Sequence, residues 1–365
     1  MAYHTPDSLA VRYLERASQE LKRGKPLCIV MGNEAADLDS MATSLVYASF
    51  KNAQGITPYH IPVIPIERND FPLRTEAVWL FSKAGIDVSR LVFSDDTDLQ
   101  ALLAQPENTL ILVDHNKPSK ACADAAAKVT EILDHHEDEG LFSDADRTIA
   151  PVGSSATLAA EKILEADVDM LDADTALLLL GTILLDTVNL DPEAKRVTPR
   201  DDAAAQKLFA LTGADQQELF GQLQHEKFNV ASLSSRDILR KDYKEFQFGK
   251  LTCGISSTLL SLDQWIAKDA ELPQAFKEFA AGQNLDILIA MGAYTDPEFK
   301  REMAIYAKDA TLRKRTVSCL NDAGTKLSPY SGSLPEGSES IDFYTQGDLS
   351  KSRKKIQPIL AEFFS

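Results

Sequence analysis

The chain has 365 residues, more than one hydrophobic core usually organises, and its 44% hydrophobic content is that of a globular protein of two domains. A formal net charge of −17 excludes a general nucleic-acid binder, which needs a basic face to release counterions. No apolar run is long enough to span a bilayer, no charged start leads into a leader-like segment, and Cys28, Cys122, Cys253 and Cys319 form no C-x-x-C pair, so a reducing cytoplasm is the expected location.

In chain order, 9–21 reads as a short helix and PLCIVM (26–31) as a buried strand. The turn GNEAADLD follows, and then a helical stretch at 40–50. Further strands are expected at 61–66, 90–93, 109–113 and 129–133, with helices at 74–84 and 121–128 among them. This alternation predicts an α/β domain with a parallel sheet. Consecutive helices are expected at 154–166, 172–188, 200–211 and 214–226, the first opened by an N-cap at Gly153-Ser154-Ser155.

The pattern lapses at 228–232, which divides the chain into a first domain, 1–228, and a smaller α/β domain, 233–365. Strands are expected in the second near 246–255, 285–291 and 302–306, with a short helix after 232 and a longer one near 259–281. SPYSGSLPEGSES (328–340) reads as a loop, and Arg313-Lys314-Arg315 as a solvated basic face.

In an open parallel sheet, ligands bind beyond the carboxyl ends of the strands. The residues there are strongly biased: Asn33, Asp37 and Asp39 after the first strand, Asp114 and His115 after 109–113, and Asp134, His135 and His136 after 129–133. Taken singly, a D-x-D is a turn or a cap, an H-H pair is surface, and Asp186 after TILL is a satisfied buried carboxylate. Together they argue for a metal cluster, because carboxylates gathered at one sheet edge repel each other until cations neutralise them. Two divalent ions roughly 3.5–4 Å apart clamp a phosphoryl group and activate water for in-line attack.

These motifs, in this order, resemble the DHH phosphoesterase superfamily, whose name matches Asp134-His135-His136. The resemblance covers Asp37-Leu38-Asp39-Ser40, Asp114-His115-Asn116, the triplet and Asp186. It implies metal ligation by Asp37, Asp39, Asp114, His135 and Asp186, with Asp114 shared between two ions and His136 contacting substrate.

The second domain is similar to that of the DHH/DHHA2 subgroup, which includes family II inorganic pyrophosphatases and eukaryotic exopolyphosphatases of the fungal and prune type. Ser352-Arg353-Lys354-Lys355 and the segment around Lys244 resemble its phosphate-binding elements. Arg353 is a further catalytic candidate, and Lys244, Lys354 and Lys355 bind substrate, since arginine offers a planar fork and lysine a compact charge to phosphate oxygens.

Family II pyrophosphatases carry a metal-binding histidine where this sequence has Asn33, also a substrate-binding candidate. An amide in place of imidazole hardens the site, favouring Mg2+ with Mn2+ accepted. The exopolyphosphatases of this subgroup resemble the chain in having asparagine there, and that resemblance implies hydrolysis of terminal phosphoanhydride bonds of inorganic polyphosphate. The alternatives are a pyrophosphatase, a phosphodiesterase for cyclic or short oligonucleotides, and a non-catalytic interaction protein.

Overall fold

The structure is a computed structural model that describes residues 8–118, 122, 125, 126, 128–167, 170–295 and 297–365. The chain forms two compact units, Met1–Phe228 and Asn229–Ser365. The helix expected over 121–128 falls largely outside the described residues.

The first unit opens with helix α1 (Leu9–Lys22), strand β1 (Leu27–Met31), α2 (Leu38–Ala53) and β2 (Tyr59–Ile64). It continues through α3 (Thr75–Lys83), β3 (Val92–Phe93), α4 (Leu99–Ala104), β4 (Thr109–Val113), β5 (Val129–Asp134) and β6 (Asp146–Ile149). Four helices complete it: α5 (Ser155–Ala166), α6 (Ala173–Asp186), α7 (Pro199–Thr212) and α8 (Gln216–Phe228). Strand β6 was not expected from sequence, because DRTI is polar and pairs only at the sheet edge.

The sheet is parallel throughout, in the order β3-β2-β1-β4-β5-β6. Connections run outward in opposite directions from β1 and β4, so a crevice opens beyond their carboxyl ends. Those ends abut, with Met31 paired to Leu112. Alternate β1 residues feed opposite cores: Cys28 and Val30 pack with α2, while Leu27, Ile29 and Met31 pack on the other face. Helix α2 is buried from Leu38 to Phe50, which fixes the start of the helix against the sheet edge.

The second unit contains α9 (Ser235–Lys241), β7 (Tyr243–Phe248), β8 (Leu251–Thr258), α10 (Leu262–Lys268), α11 (Leu272–Gly282), β9 (Ile287–Thr295) and β10 (Phe299–Ala307). It ends with α12 (Ala310–Asp322), β11 (Leu327–Pro329), β12 (Ile341–Gln346) and α13 (Arg353–Phe364). Its mixed sheet runs β11-β12-β10-β9-β8-β7.

Three expectations for this unit are corrected. The helix near 259–281 is two helices: Asp269 ends α10, and Pro273 lies in the first turn of α11, where a missing N–H costs nothing. The stretch near 246–255 is a hairpin with Gly249 at φ 59°, the left-handed conformation a glycine adopts freely. Arg313 is not part of a solvated face. Its side chain is buried, donates to the carbonyls of Ala307 and Glu339, and pairs with Asp342 at 3.0 Å. No helix among the described residues is long and apolar enough to cross a membrane.

Candidate metal centre

The turn after β1 sets the first two carboxylates. Asp37 caps α2, its Oδ1 accepting the Ser40 N–H at 3.1 Å. Asp39 is buried in the first turn, where it accepts the Ser155 and Ala156 N–H groups at 2.7 and 2.9 Å and the Thr43 hydroxyl at 3.0 Å. The positive end of α5 therefore holds an aspartate of the protein itself. Ser154 is the N-cap of that helix, as its sequence predicts.

Asp114 follows β4 directly and takes a left-handed φ of 60°. Its Oδ2 accepts from the Ser40 hydroxyl at 2.6 Å and from Asn33 Nδ2 at 2.7 Å. Asn33 Oδ1 accepts the Ala35 N–H at 2.9 Å, so both ends of this amide are engaged and its orientation is fixed by its partners. Asn33 thus contacts Asp114, one of the candidate ligands, through its amide nitrogen.

His135 Nδ1 lies 3.0 Å from the Val152 carbonyl, which turns Nε2 towards the carboxylates. Nε2 is 3.3 Å from Asp114 Oδ1 and 3.7 Å from Asp39 Oδ2. Burial works against a charge on this ring, yet Asp114 and Asp39 push its pKa up to about 10. Burial and then Asp114 raise Asp39 to about 7. Asp186, the last residue of α6, is held well above the ordinary carboxylate range, by burial first and Asp39 second, and its Oδ2 is buried without a hydrogen-bond partner.

These observations fit a divalent cation. A proton on His135 occupies the focus of two carboxylates, and the orphaned Asp186 oxygen has the chemistry of an unused ligand. Ligand atoms of Asp114, His135 and His136 all lie within 4.8 Å of one another. Asp37, Asp39, Asp114, His135, His136 and Asp186 line one cavity of about 480 Å³.

Sequence reasoning missed the groups that hold these ligands. Asp134, fully buried, accepts the His135 and His136 N–H groups at 2.8 and 3.2 Å and lies 2.8 Å from His136 Nδ1. Asn116 Nδ2 donates to its other oxygen at 2.5 Å. The first residue of the triplet thus positions the two that follow. Asp201 accepts the Gly153 N–H with both oxygens at 2.9 Å, the Thr157 hydroxyl at 2.6 Å and the Thr198 N–H at 2.7 Å. The signal available was a short polar residue beside a strand end or in the first turn of a helix, which is ambiguous without the fold.

Beyond Asp186 the chain turns sharply, with Val188, Asn189 and Leu190 at φ 53°, 64° and 60°. Three successive non-glycine residues in this region cost about 1–2 kcal/mol each. Six of the nine described non-glycine residues with positive φ (Ala36, Asp114, Val188, Asn189, Leu190 and Lys195) flank the ligands. Strain is concentrated where the ligands are set.

In the second unit, Lys244 is exposed on β7, and Lys354 and Lys355 are exposed in the first turn of α13. Arg353 donates to the Asp242 carbonyl and carboxylate, both at 2.6 Å, which leaves guanidinium donors over.

Strand order and ligand cluster define a parallel α/β protein with a cation-binding set at the switch point of its sheet. Residues 28–183 match the DHH family, N-terminal domain, and 221–363 match the DHHA2 domain. The chain is 34% identical over 362 residues to exopolyphosphatase PRUNE1 of Rattus norvegicus, an alignment covering 97% of this chain and 79% of that protein. It is 26% identical over 266 residues to a manganese-dependent inorganic pyrophosphatase of Methanothrix thermoacetophila, covering 72% of this chain and 79% of the relative. The chain belongs to the DHH family, in the branch whose second domain is DHHA2.

Proposed function

We propose that the protein is an exopolyphosphatase, a metal-dependent hydrolase that releases orthophosphate from the ends of inorganic polyphosphate. The observation that carries this reading is the common focus of Asp39, Asp114 and His135, with His135 Nε2 at 3.7 and 3.3 Å from the two carboxylates. Asp37, Asp39, Asp114, His135 and Asp186 would hold two divalent cations, with Asp114 shared. The set is dominated by carboxylate oxygen, which favours Mg2+ and accepts Mn2+. When bound, the cations supply positive charge to the phosphoryl group and make water a nucleophile at neutral pH.

The other steps belong to the chain's own groups. Asp134 fixes the His136 ring through Nδ1, leaving the exposed Nε2 edge for a phosphate oxygen or for proton transfer at the leaving oxygen. Asn33 and Ser40 hold Asp114 Oδ2, so the carboxylate keeps its orientation as charge develops. In the second unit, Lys244, Lys354 and Lys355, with the remaining donors of Arg353, are the groups fitted to phosphate oxygens. No nucleophilic side chain is required.

The test is orthophosphate release from long-chain polyphosphate with Mg2+. Much faster cleavage of pyrophosphate would move the substrate assignment to the pyrophosphatase reading. Asp39→Ala should abolish release; equal rates in this variant and the wild type would remove the hydrolase reading altogether.

A further inference from the structure

The cavity that holds the ligand cluster is walled on another side by Lys195 and Arg196, from the loop between α6 and α7. Both are exposed, and neither side chain has a hydrogen-bond or ion-pair partner among the described residues. What sets them apart from other exposed cations of the chain is their place in the wall of the cavity that holds the carboxylates.

The loop is a built element. The left-handed run Val188–Leu190 reverses the chain after Asp186 and is held by Asn189 N–H to the Leu184 carbonyl at 2.7 Å and Leu190 N–H to the Thr187 hydroxyl at 3.1 Å. A turn over Pro192–Ala194 follows, ending at Lys195 with φ 55°. Thr198 and Gly153 are both bound to Asp201. A Cβ on Gly153 would lie 2.6 Å from the Arg196 carbonyl oxygen and 2.5 Å from Thr187 Cγ2, so the loop packs directly on the segment that opens α5. The same contacts that place Asp186 and Asp39 therefore place Lys195 and Arg196.

We propose that Lys195 and Arg196 form a phosphate subsite in the first unit, taking the phosphoryl groups next to the one hydrolysed and selecting inorganic oligophosphates. The inference rests on the hydrolase reading above and adds the residues that read the chain beyond its terminal group. Charge supports it. Two divalent ions balance the four carboxylates Asp37, Asp39, Asp114 and Asp186, so the ligand cluster itself has no net positive charge to offer a phosphate chain in this cavity. An arginine and a lysine supply it, the first as a planar fork and the second as a compact charge.

The lining also speaks against a nucleotide. Its apolar members are Pro151, Val152 and Val197, and its rings are the two imidazoles of His135 and His136, with no Phe, Tyr or Trp face on which a base would stack.

The test uses the Mn2+-loaded full chain and imidodiphosphate, a non-hydrolysable P–N–P compound, with binding measured by calorimetry. Lys195→Ala with Arg196→Ala should weaken binding tenfold or more while Mn2+ stoichiometry and affinity stay as in the wild type. Arg196→Lys, which keeps the charge, should recover part of the loss. Tripolyphosphate KM should rise in parallel. Unchanged imidodiphosphate affinity in the double variant would overturn the subsite, as would an equal loss in Arg196→Lys and Arg196→Ala with Lys195 intact. Failure of the hydrolase reading is separate, since it would appear as a wild-type protein that releases no orthophosphate from polyphosphate.

Discussion

Asn33 and Asp114 form a hydrogen bond of 2.7 Å across the gap between the carboxyl ends of β1 and β4. The amide donates to the oxygen of Asp114 that faces away from His135, and so decides which oxygen is presented to a cation. Asn33→Ala should remove this restraint. Metal affinity is expected to fall about tenfold to a hundredfold, the usual effect of losing an outer partner of a ligand. Titration of Mg2+ and Mn2+ by calorimetry checks it, and an affinity within twofold of wild type would count against the role.

Asp134→Asn should destabilise the first unit. The carboxylate accepts from three N–H groups of the two histidines and from Asn116 Nδ2, and an amide in its place turns a donor towards one of these donors. A loss of about 1–3 kcal/mol is expected. Urea unfolding of the metal-free protein measures it directly, away from any effect on catalysis.

Asp186→Asn should act in opposite directions with and without metal. Its Oδ2 is buried and unpartnered, and burial and Asp39 both oppose its charge. Removing the charge should raise the Tm of the metal-free protein. It should also abolish the metal-induced rise in Tm, which for the wild type reflects about 2.7 kcal/mol at one hundred times Kd. Thermal scans with EDTA and with Mn2+ separate the two effects. A lower metal-free Tm in the variant would show that Asp186 is a satisfied structural carboxylate.

His60 makes stability depend on pH. The ring is 4% exposed, its Nδ1 has no partner, and burial followed by Lys51 pushes its pKa down from the usual 6.5 to about 4. A histidine depressed in the folded state contributes stability that is complete above 6.5 and is lost as pH falls towards 4, because the unfolded chain takes up the proton first. The loss is roughly 3 kcal/mol across that window. His60→Asn should flatten this part of the profile of unfolding free energy against pH. An unchanged slope would assign the acid sensitivity elsewhere.

Much of the first unit was legible because its signals are local. Apolar runs such as TLILV and the length of the segments between them identify strands and helices, and a parallel sheet follows from their alternation. The strand-end positions of Asp39, Asp114 and His135 were legible for the same reason. The second unit was less so. Helix α12 carries the basic run Arg313-Lys314-Arg315 that reads as surface, α13 opens on a run that reads as a phosphate-binding segment and carries no clear helix signal, and β12 pairs with β10 across the whole of α12.

By itself, the sequence determined which residue types stand at the ends of the strands, because a strand and the turn after it are set by neighbouring residues. It did not determine the partners. That Asn33 binds Asp114, that α5 holds Asp39 and that Lys195 and Arg196 face the same cavity are contacts between segments tens of residues apart. Such contacts depend on strand order and on where a strained turn sends the chain, and only the tertiary structure fixes either.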